Sequence, residues 1–485
     1  MGCDWPVVRL GDHVNSCLGK MLDKKKNKGV NQPYLGNSNV RWGEFDLSQL
    51  SKMKFEEHEA ERYGIEPGDL IVCEGGEPGR CAIWNDALPN MKIQKALHRV
   101  RTNSTLNNHF LYYWFLHAGK NGSLEPYFTG TTIKHLTGKA LNDLELSLPP
   151  RKYQDYVANI LASLDKKIQA NKKLNQTLEQ IAQAIFKSWF VDFEPVKAKI
   201  SALAAGGSEE DALLAAMQAI SGKDKAQLTQ LRTENPERYN ELRTTAELFP
   251  SAMQDSELGE IPEGWEANPF ENLLEKTIGG DWGKEKPDEK HKEEVKILRG
   301  TDLPNVYSGN DGKVPTRYVE AKKLKNRQLK PWDIVIEVSG GSKGQPTGRS
   351  LLITDRLLER LGRSEPASFC RMFRPINENV SLLLALHLQK IYADGKTWLY
   401  QNQSTGISNF QTKTFLSKEI VTVPPSPVQE AFFKMVNPLI ERIYANESTL
   451  LGALRDALLP KLLSGEINIA EESNNQSTDE FNKES

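Results

Sequence analysis

Two glycine-rich loops carry the residues whose types and spacing best suit the binding of a phosphate group. The first loop holds Gly75 and Gly76 and ends at Arg80, and the second runs from Gly340 to Arg349. Glycines leave backbone N–H groups accessible, and open N–H groups beside a cation form a site for a phosphate anion. One such loop alone is better explained as a plain connection between strands, but two in matching places make a phosphate site an equally good interpretation.

Short polar segments supply further hydroxyl, amide and basic side chains that bind phosphates or base edges. They span residues 34–42, 129–135 and 404–411, and a lysine-rich stretch covers residues 20–28. Each also has a simpler interpretation, as a turn or as a solvated charged surface. For the two loop arginines, we expect alanine replacement to weaken binding and to lower its salt dependence. The candidate nucleic-acid-binding residues are Lys25, Asn37, Arg41, Arg80, Thr131, Thr132, Lys134, His135, Arg299, Thr301, Lys343, Arg349, Ser404, Thr405, Ser408 and Asn409.

The short motifs that identify several classes of enzyme are absent from this sequence. It contains no HExxH, no GxxxxGK[ST] and no GxGxxG after a strand, and its eight histidines lack the spacing of metal ligands. The segment Asn31-Gln32-Pro33-Tyr34 resembles the Asn-Pro-Pro-Tyr motif of amino-methyltransferases, but it departs from that motif and no cofactor loop precedes it. We therefore predict a chain without catalytic residues, a metal site or a cofactor of its own.

The net charge excludes a protein that coats nucleic acid with a uniformly basic surface. Lys and Arg number 62 against 64 Asp and Glu, a formal charge of -2, although this sum leaves room for local basic patches. The five cysteines include no Cys-x-x-Cys pair, which fits a reducing compartment. The most apolar run, residues 380–388, is too short to span a membrane. We expect a soluble cytoplasmic protein with no membrane partner.

The most informative feature is an internal repeat. Residues 67–72 read Pro-Gly-Asp-Leu-Ile-Val and residues 331–336 read Pro-Trp-Asp-Ile-Val-Ile, and each segment is followed by a Gly-Gly loop and an arginine. Further along, the polar segments 129–133 and 404–408 both precede strand-like stretches that end in two prolines. Because these marks occur in the same order in both halves, we predict two copies of one domain.

Each double proline is followed by a long helix with a coiled-coil seam. Apolar residues recur at steps of four and three over residues 157–189 and again over 432–457, and the two helices are expected to reach Pro195 and Pro460. The matching seams favour an antiparallel pair within one chain, while a parallel dimer stays open. The polar seam residues that would set the register are Asn171 and Asn446.

The pattern predicts two domains in tandem repeat, each followed by a long helix, and the two helices paired as an antiparallel coiled coil. The predicted organisation is a globular domain at 1–150, a helix at 151–196, a central linker or insertion at 197–258, a second globular domain at 259–425, a second helix at 426–470 and a disordered tail at 471–485.

The doubled order of these features resembles the specificity subunits of type I restriction–modification systems. The likeness extends over nearly all of residues 5–470. It includes the sequence Ile-Phe-Lys-Ser-Trp-Phe-Val-Asp-Phe-Glu-Pro at 185–195, Gly-Glu-Ile-Pro-Glu-Gly-Trp at 259–265 and Leu-Leu-Ser-Gly-Glu-Ile at 462–467. No single motif is diagnostic of this family. The diagnostic feature is that the motifs occur twice in the same order.

The resemblance implies a non-catalytic subunit that reads double-stranded DNA. It also implies fold class α+β, with two mixed α/β domains in tandem repeat. Each globular domain would be a target-recognition domain for one half of a bipartite, asymmetric target, and the helices would set the gap between the halves. Two modification subunits would methylate adenine N6 with S-adenosylmethionine, and two restriction subunits would use ATP and Mg for translocation and cutting. The candidate partner-contact residues are Phe186, Trp189, Phe190 and Phe193.

Two other functions remain as alternatives at this point. The chain could be a coiled-coil scaffold whose two globular domains bind proteins, in which case it would show no sequence-selective binding to DNA. It could also be a fused methyltransferase or nuclease, against which the missing cofactor loop argues.

Overall fold

The computed structural model describes residues 5–23, 25–85, 88–309, 311–340, 344–404, 407–445 and 447–467. The chain divides into two compact units. The first unit comprises Met1–Gln169 with Leu450–Ser485, and the second unit comprises Ala170–Thr449. Both boundaries fall inside long helices, so each unit combines a globular α/β region with parts of the helices. This arrangement departs from the boundaries at 150 and 425 that the sequence suggested.

The first unit contains a four-stranded antiparallel sheet, a three-stranded sheet and a two-stranded sheet. Its strands are β1 (Val7–Arg9), β2 (Val14–Leu18), β3 (Val30–Leu35), β4 (Ser51–Phe55), β5 (Leu70–Cys73), β6 (Cys81–Ile83), β7 (Lys92–Ile93), β8 (Leu97–Thr102) and β9 (Glu145–Ser147). Its helices are α1 (Ala60–Tyr63), α2 (Asn108–Asn121), α3 (Gly138–Asn142) and the first part of α4 (Arg151–Phe190). The apolar strand β5 is fully buried and forms the centre of the larger sheet.

The second unit continues with a group of helices and then repeats the sheets. The helices α5 to α8 are Glu194–Ala204, Glu209–Ser221, Lys225–Glu234 and Pro236–Glu247. The strands β10 to β23 are Met253–Ser256, Gly259–Pro262, Glu266–Pro269, Leu274–Gly279, His291–Leu298, Thr316–Glu320, Ile334–Glu337, Ser339–Gly340, Ser350–Leu352, Ser364–Pro366, Cys370–Pro375, Gln401–Ser404, Ile407–Phe410 and Ile420–Val423. The helices α9 to α15 are Leu303–Tyr307, Ala321–Arg327, Asp355–Leu361, Glu378–Ala393, Thr412–Lys418, Ser426–Tyr444 and Glu447–Leu463, the last of which crosses into the first unit.

The strand order confirms the internal repeat. The order β2-β8-β5-β6 in the first unit corresponds to β13-β20-β16-β18 in the second. The order β4-β3-β7 corresponds to β15-β14-β19, and in both cases the last pair is parallel while the first is antiparallel. The sheets β1-β9 and β12-β23 complete the match.

A buried ion pair occurs at the same place in both units. Asp69 precedes β5 and accepts two hydrogen bonds from Arg101 of β8 (Nε–Oδ1 2.7 Å, Nη2–Oδ2 2.8 Å). Asp333 precedes β16 and accepts two from Arg374 of β20 (both 2.7 Å). Each pair fastens a turn to the neighbouring strand, which explains why the repeat preserves an aspartate at this position.

In the first unit the long helices run antiparallel, as predicted. The hydroxyl of Tyr153, near the start of α4, donates to the carbonyl of Leu462 near the end of α15 (3.0 Å). Asp165, further along α4, pairs with Arg455, which lies earlier in α15 (Oδ1–Nη1 2.6 Å). Residue numbers rise along one helix as they fall along the other, which is the signature of an antiparallel pair.

The second unit shows the same direction of pairing and a polar contact in the seam. The buried Asn171 donates to Glu447 (Nδ2–Oε2 3.1 Å), and the ring of Phe190 packs against that of Phe432 with centroids 4.7 Å apart. A buried amide with a specific partner restricts the register of two helices. Asn446, the second predicted register residue, lies outside the described residues.

The positions of the helix ends differ from the predictions. The first helix ends at Phe190, before Pro195, and this proline lies in the first turn of α5, where its missing N–H costs no hydrogen bond. The second predicted helix is divided into α14 and α15, and Pro460 lies inside α15 close to its end. A proline near the end of a helix removes one backbone bond and leaves the preceding turns intact.

The central segment, predicted as a linker or an insertion, is helical. Helices α6 to α8 share a core that includes Leu213, Met217, Leu228 and Tyr239. Two of these helices start with reciprocal capping bonds between residues three apart, Ser208 with Asp211 and Asp224 with Gln227. Such capping boxes satisfy backbone donors that are otherwise unpaired at the start of a helix.

None of the helices in the described ranges combines the length and apolar character needed to cross a membrane.

A buried carboxylate makes the stability of the second unit sensitive to acid. Burial by itself would raise the pKa of Glu419, but hydrogen bonds from His387 (2.7 Å), Lys396 (2.8 Å) and Tyr400 (2.6 Å) lower it to about 2. The ordinary value is 4.5. The charged carboxylate therefore stabilises the fold at pH values above this ordinary pKa. Its contribution to the free energy of unfolding, on the order of 3 kcal/mol, is lost as the pH falls from about 5 towards 2.

We expect Glu419→Gln to flatten the dependence of stability on pH in this window. Urea unfolding of the wild type and of this variant between about pH 7 and pH 3 measures the difference. Parallel curves for the two proteins would show that Glu419 is not the group responsible.

Candidate nucleic-acid interface

Three loops of the first unit meet at one place, and each holds predicted site residues. The side chain of Asn37 donates to the carbonyl of Gly75 (Nδ2–O 3.0 Å), and Arg80 donates to the carbonyl of Asn37 (Nη2–O 3.1 Å). Gly75 also forms an isolated β-bridge with His135. The fold therefore brings Asn37, Arg80 and His135 together from distant parts of the sequence.

The glycines of this loop are required by its shape. Gly76 and Gly79 have φ angles of 76° and 90°, in the left-handed region that residues with a Cβ avoid. A Cβ on Gly76 would lie 2.6 Å from Nδ2 of Asn37. The close approach of the two loops accounts for the glycines without a bound phosphate.

The corresponding loops of the second unit surround a cavity of about 710 Å³, called the second-unit cavity below. Three predicted residues, Arg299, Thr301 and Arg349, line it. Ser339, also in its wall, pairs with Asn409, and the serine hydroxyl donates to the asparagine side chain (Oγ–Oδ1 2.6 Å). The second unit thus repeats the convergence of three loops seen in the first.

The same local bond shapes the first of these loops in both units. The side chain of Asn39 accepts from the backbone N–H of Gly36 (2.9 Å). Asp302 stands at the equivalent position and accepts from the backbone N–H of Arg299 (3.1 Å). A side-chain acceptor three residues ahead closes a tight turn, so the two loops share one framework and carry different exposed groups.

The two loop arginines are largely buried and bonded to protein groups, which argues against the predicted contact with phosphate. Arg349 makes a bidentate ion pair with Glu337 (Nε–Oε2 2.9 Å, Nη2–Oε1 2.6 Å), and these hydrogen bonds raise its pKa. Arg80 donates to Glu77 (Nη1–Oε2 3.0 Å) as well as to Asn37. Both guanidinium groups brace their loops, because protein groups accept from Nη1 and Nη2 of Arg80 and from Nε and Nη2 of Arg349.

Two further candidates are occupied in the same way. Arg299 forms a bidentate pair with Asp302 (Nε–Oδ2 2.8 Å, Nη2–Oδ1 2.7 Å), and this hydrogen bonding raises its pKa. Ser408 is buried, and its hydroxyl accepts from Gln401 (2.9 Å). These bonds indicate that the two residues hold the loops in position and argue against direct contacts of their side chains with nucleic acid.

The other described candidates remain available to a partner. Asn37 and His135 are partly exposed, and Lys25, Arg41, Thr131, Thr132, Lys134, Thr301 and Asn409 are exposed. Lys134 pairs with Glu125 (Nζ–Oε1 3.5 Å), and both side chains are more than half exposed. An exposed pair of this kind contributes little, so a phosphate can replace the carboxylate.

Some predicted residues cannot be placed. Lys343 and Thr405 lie outside the described residues, as does the side chain of Ser404.

The four aromatic residues proposed as a partner contact are in the core of the second unit. Phe186, Trp189, Phe190 and Phe193 are all buried, and Phe249, Trp265 and Phe432 are among the aromatic side chains around them. The sequence shows that these residues are apolar and lie near the end of a helix. The elements that cover them come from distant parts of the chain. Their burial in the single chain argues against the predicted contact with a partner subunit.

Two exposed aromatic side chains at the second-unit cavity were not predicted. Trp282 and Phe369 both line it. Each stands next to small or polar residues in a segment without periodicity, so the sequence offers no signal beyond an isolated aromatic residue in a loop.

In the described part of the chain, no cluster of three or more His, Cys, Asp or Glu side chains is arranged to hold a metal ion.

Comparisons with known proteins give a consistent family. Residues 3–180 match the model of the type I restriction modification DNA specificity domain. The HindI specificity subunit of Haemophilus influenzae is 30% identical over 486 residues, covering 96% of this chain and 100% of that protein. The MjaIX specificity subunit of Methanocaldococcus jannaschii is 25% identical over 374 residues, covering 75% of this chain and 69% of that protein.

Solved structures of similar proteins are also found. The S subunit of a type I restriction–modification system from M. genitalium has a TM-score of 0.49 and 15% identity, covering 95% of this chain and 96% of that one. The HsdS subunit from Thermoanaerobacter tengcongensis has a TM-score of 0.31 and 14% identity, covering 96% and 97%.

Proposed function

The chain belongs to the specificity subunits of type I restriction–modification systems, and we propose that it reads a bipartite, asymmetric DNA target with one half-site for each unit. Recognition of DNA is the function of this family. The proposal for this chain concerns how the recognition is divided. Each unit supplies one set of three convergent loops, and the paired helices fix the gap between the half-sites.

The observation that supports this division is the repeated framework with different side chains. Three sheets and the loop-closing hydrogen bonds correspond in the two units, while the second unit adds the sheets β10-β11 and β17-β22-β21. The exposed groups differ, since the first unit presents Lys134 and His135 whereas the second presents a cavity with Trp282 and Phe369. Two equal frameworks with unlike surfaces suit two unlike half-sites.

The assembly around this subunit follows from the family. We propose two modification subunits, which methylate adenine N6 with S-adenosylmethionine, and two restriction subunits, which use ATP and Mg. This chain would supply no catalytic residue and bind none of these cofactors, and the complex would act in the cytoplasm.

A methylome tests the function directly. The chain is expressed with its modification subunit in a host without adenine methylation, and the genomic DNA is sequenced by single-molecule reads that detect methylated bases. We expect a new bipartite motif with two unlike halves around a fixed gap. Replacing residues 1–150 with the domain of another family member is expected to change one half only. If both proteins are soluble and associated but no motif appears, the scaffold function is favoured.

Salt dependence separates residues that contact phosphate from residues that support the loops. For Lys134→Ala we expect a weaker complex and a slope of log K against log salt that is smaller by about one, because one fewer phosphate is neutralised. For Arg349→Ala we expect an unchanged slope, because Glu337 occupies its guanidinium. Fluorescence anisotropy of the complex with the modification subunit on the target duplex, from about 50 to about 200 mM salt, gives both slopes. A reduced slope for Arg349→Ala would restore its assignment as a phosphate contact.

A further inference from the structure

Among its described lining residues, the second-unit cavity has two arginines but offers little net positive charge. Arg349 is paired with Glu337 and Arg299 with Asp302, and both carboxylates are buried. A buried carboxylate keeps its cation because separating the pair would leave a charge without solvent. Phosphate is therefore a poor ligand for this cavity, and other groups must recognise what enters it.

Two exposed aromatic rings line the same cavity. Trp282 is 40% exposed and Phe369 is 65% exposed. The guanidinium of Arg317 lies over the Trp282 ring, 4.9 Å from its centroid. The backbone of Phe369 is held by a hydrogen bond from the N–H of Val338 to its carbonyl (2.9 Å). Exposed apolar side chains grouped at a cavity are typical of a binding surface.

The first unit has a different residue at the position of Phe369. There the carbonyl of Ala96 accepts from the N–H of Glu74 (2.8 Å), which is the bond that Phe369 makes with Val338. The two units thus share this backbone hydrogen bond, although Ala96 has a φ angle of 92° and Phe369 is outside the left-handed region. The first unit carries a methyl group where the second carries a phenyl ring.

The position of Trp282 has also diverged. Asp281, the residue before Trp282, donates its backbone N–H to the carbonyl of the last residue of β19 (3.0 Å). In the first unit, Lys20 donates in the same way to the carbonyl of the last residue of β7 (3.1 Å). This match makes Met21 the counterpart of Trp282. Both rings of the second unit are therefore additions to a shared framework, at the place where the two units are expected to read different sequences.

We propose that the second-unit cavity receives the 5-methyl group of a thymine in the major groove of the second half-site, in contact with Trp282 and Phe369. This inference rests on the DNA-reading function proposed above. The cavity is continuous with the loops that hold Thr301 and Asn409, which are candidates for the same DNA surface. The thymine methyl is the apolar group that base edges present in the major groove. Gln345, exposed at the rim, carries an amide of the kind that pairs with adenine, the partner of thymine.

Uracil substitution tests the contact with the wild-type protein. The methylome supplies the target, and duplexes are made in which each thymine of the second half-site is replaced in turn by deoxyuridine, which lacks only the methyl group. Binding of the complex with the modification subunit is measured for each duplex. We expect one position at which the substitution weakens binding about fivefold, the effect of removing one buried methyl group.

Variants identify the side chains. Phe369→Ala, which creates the first-unit residue, is expected to bind the thymine and uracil duplexes equally. Trp398→Ala is the matched control, because this aromatic side chain of the second unit is 41% exposed and does not line the cavity. It is expected to keep the fivefold preference for thymine.

The possible failures are distinguishable. A half-site without thymine, or unchanged affinity at every substituted thymine, overturns the inference and leaves the function intact. Absence of any methylated motif defeats the proposed function itself. The uracil series needs no variant, so a folding defect of Phe369→Ala does not weaken the test.

Discussion

Replacing Trp189 with alanine is expected to lower the free energy of unfolding of the second unit by about 3–5 kcal/mol, the usual loss for a fully buried large aromatic side chain. Trp189 is 1% exposed. Its ring contacts Phe249 (centroids 4.9 Å apart) and Phe432 (5.8 Å). The cavity left by the missing indole would be lined by side chains from three separate segments, and they cannot all move to fill it. Thermal or urea unfolding of the purified chain measures the loss.

Val191 offers a matched control two residues away. This side chain is 38% exposed, so Val191→Ala is expected to change stability by less than about 0.5 kcal/mol. Stability at the wild-type level in Trp189→Ala, together with weaker association with the modification subunit, would instead return the aromatic cluster to a partner interface.

Removal of Arg374 is expected to cost about 3 kcal/mol, and removal of its first-unit counterpart Arg101 is expected to cost less. Both leave an aspartate that is 1% exposed without its cation, and an unpaired buried charge is strongly destabilising. The Arg374 side chain is 16% exposed and that of Arg101 is 37% exposed. Water therefore reaches the site of Arg101 more easily and screens the remaining charge of Asp69.

The internal repeat makes this comparison direct, since the two pairs have nearly the same geometry. Arg363→Ala serves as a control, because its pair with Glu293 is exposed and such pairs contribute less than about 1 kcal/mol. Urea unfolding of the three variants gives the ranking, and adding Asp333→Asn to Arg374→Ala measures the coupling between the partners. Equal losses for Arg101→Ala and Arg374→Ala would show that exposure of the arginine does not control the energy of these pairs.

The repeat, the helix direction and the family could be predicted from the sequence because each depends on local order. The segments around Asp69 and Asp333 form the same turn and strand, as their matched residues indicated, whereas their arginine partners Arg101 and Arg374 were found only in the structure. Steps of four and three along residues 157–189 describe one face of a helix, and that face is indeed buried. Such patterns record which residues face inwards, since the periods of helix and strand are fixed by the backbone.

The environment of each candidate site residue was decided by the tertiary structure. Arg349 matched a phosphate-binding pattern in the sequence. Its guanidinium is neutralised by Glu337 of β16, and the two side chains meet only because β16 pairs with β18 in the folded sheet. Phe186 and Trp189 were predicted to contact a partner subunit. In the fold they are buried in one cluster with Phe249 and Trp265, which come from distant parts of the chain. Trp282 and Phe369 meet at one cavity from separate loops. A sequence thus states the chemistry of each side chain, whereas exposure and charge pairing depend on residues that are distant along the chain and adjacent only after folding.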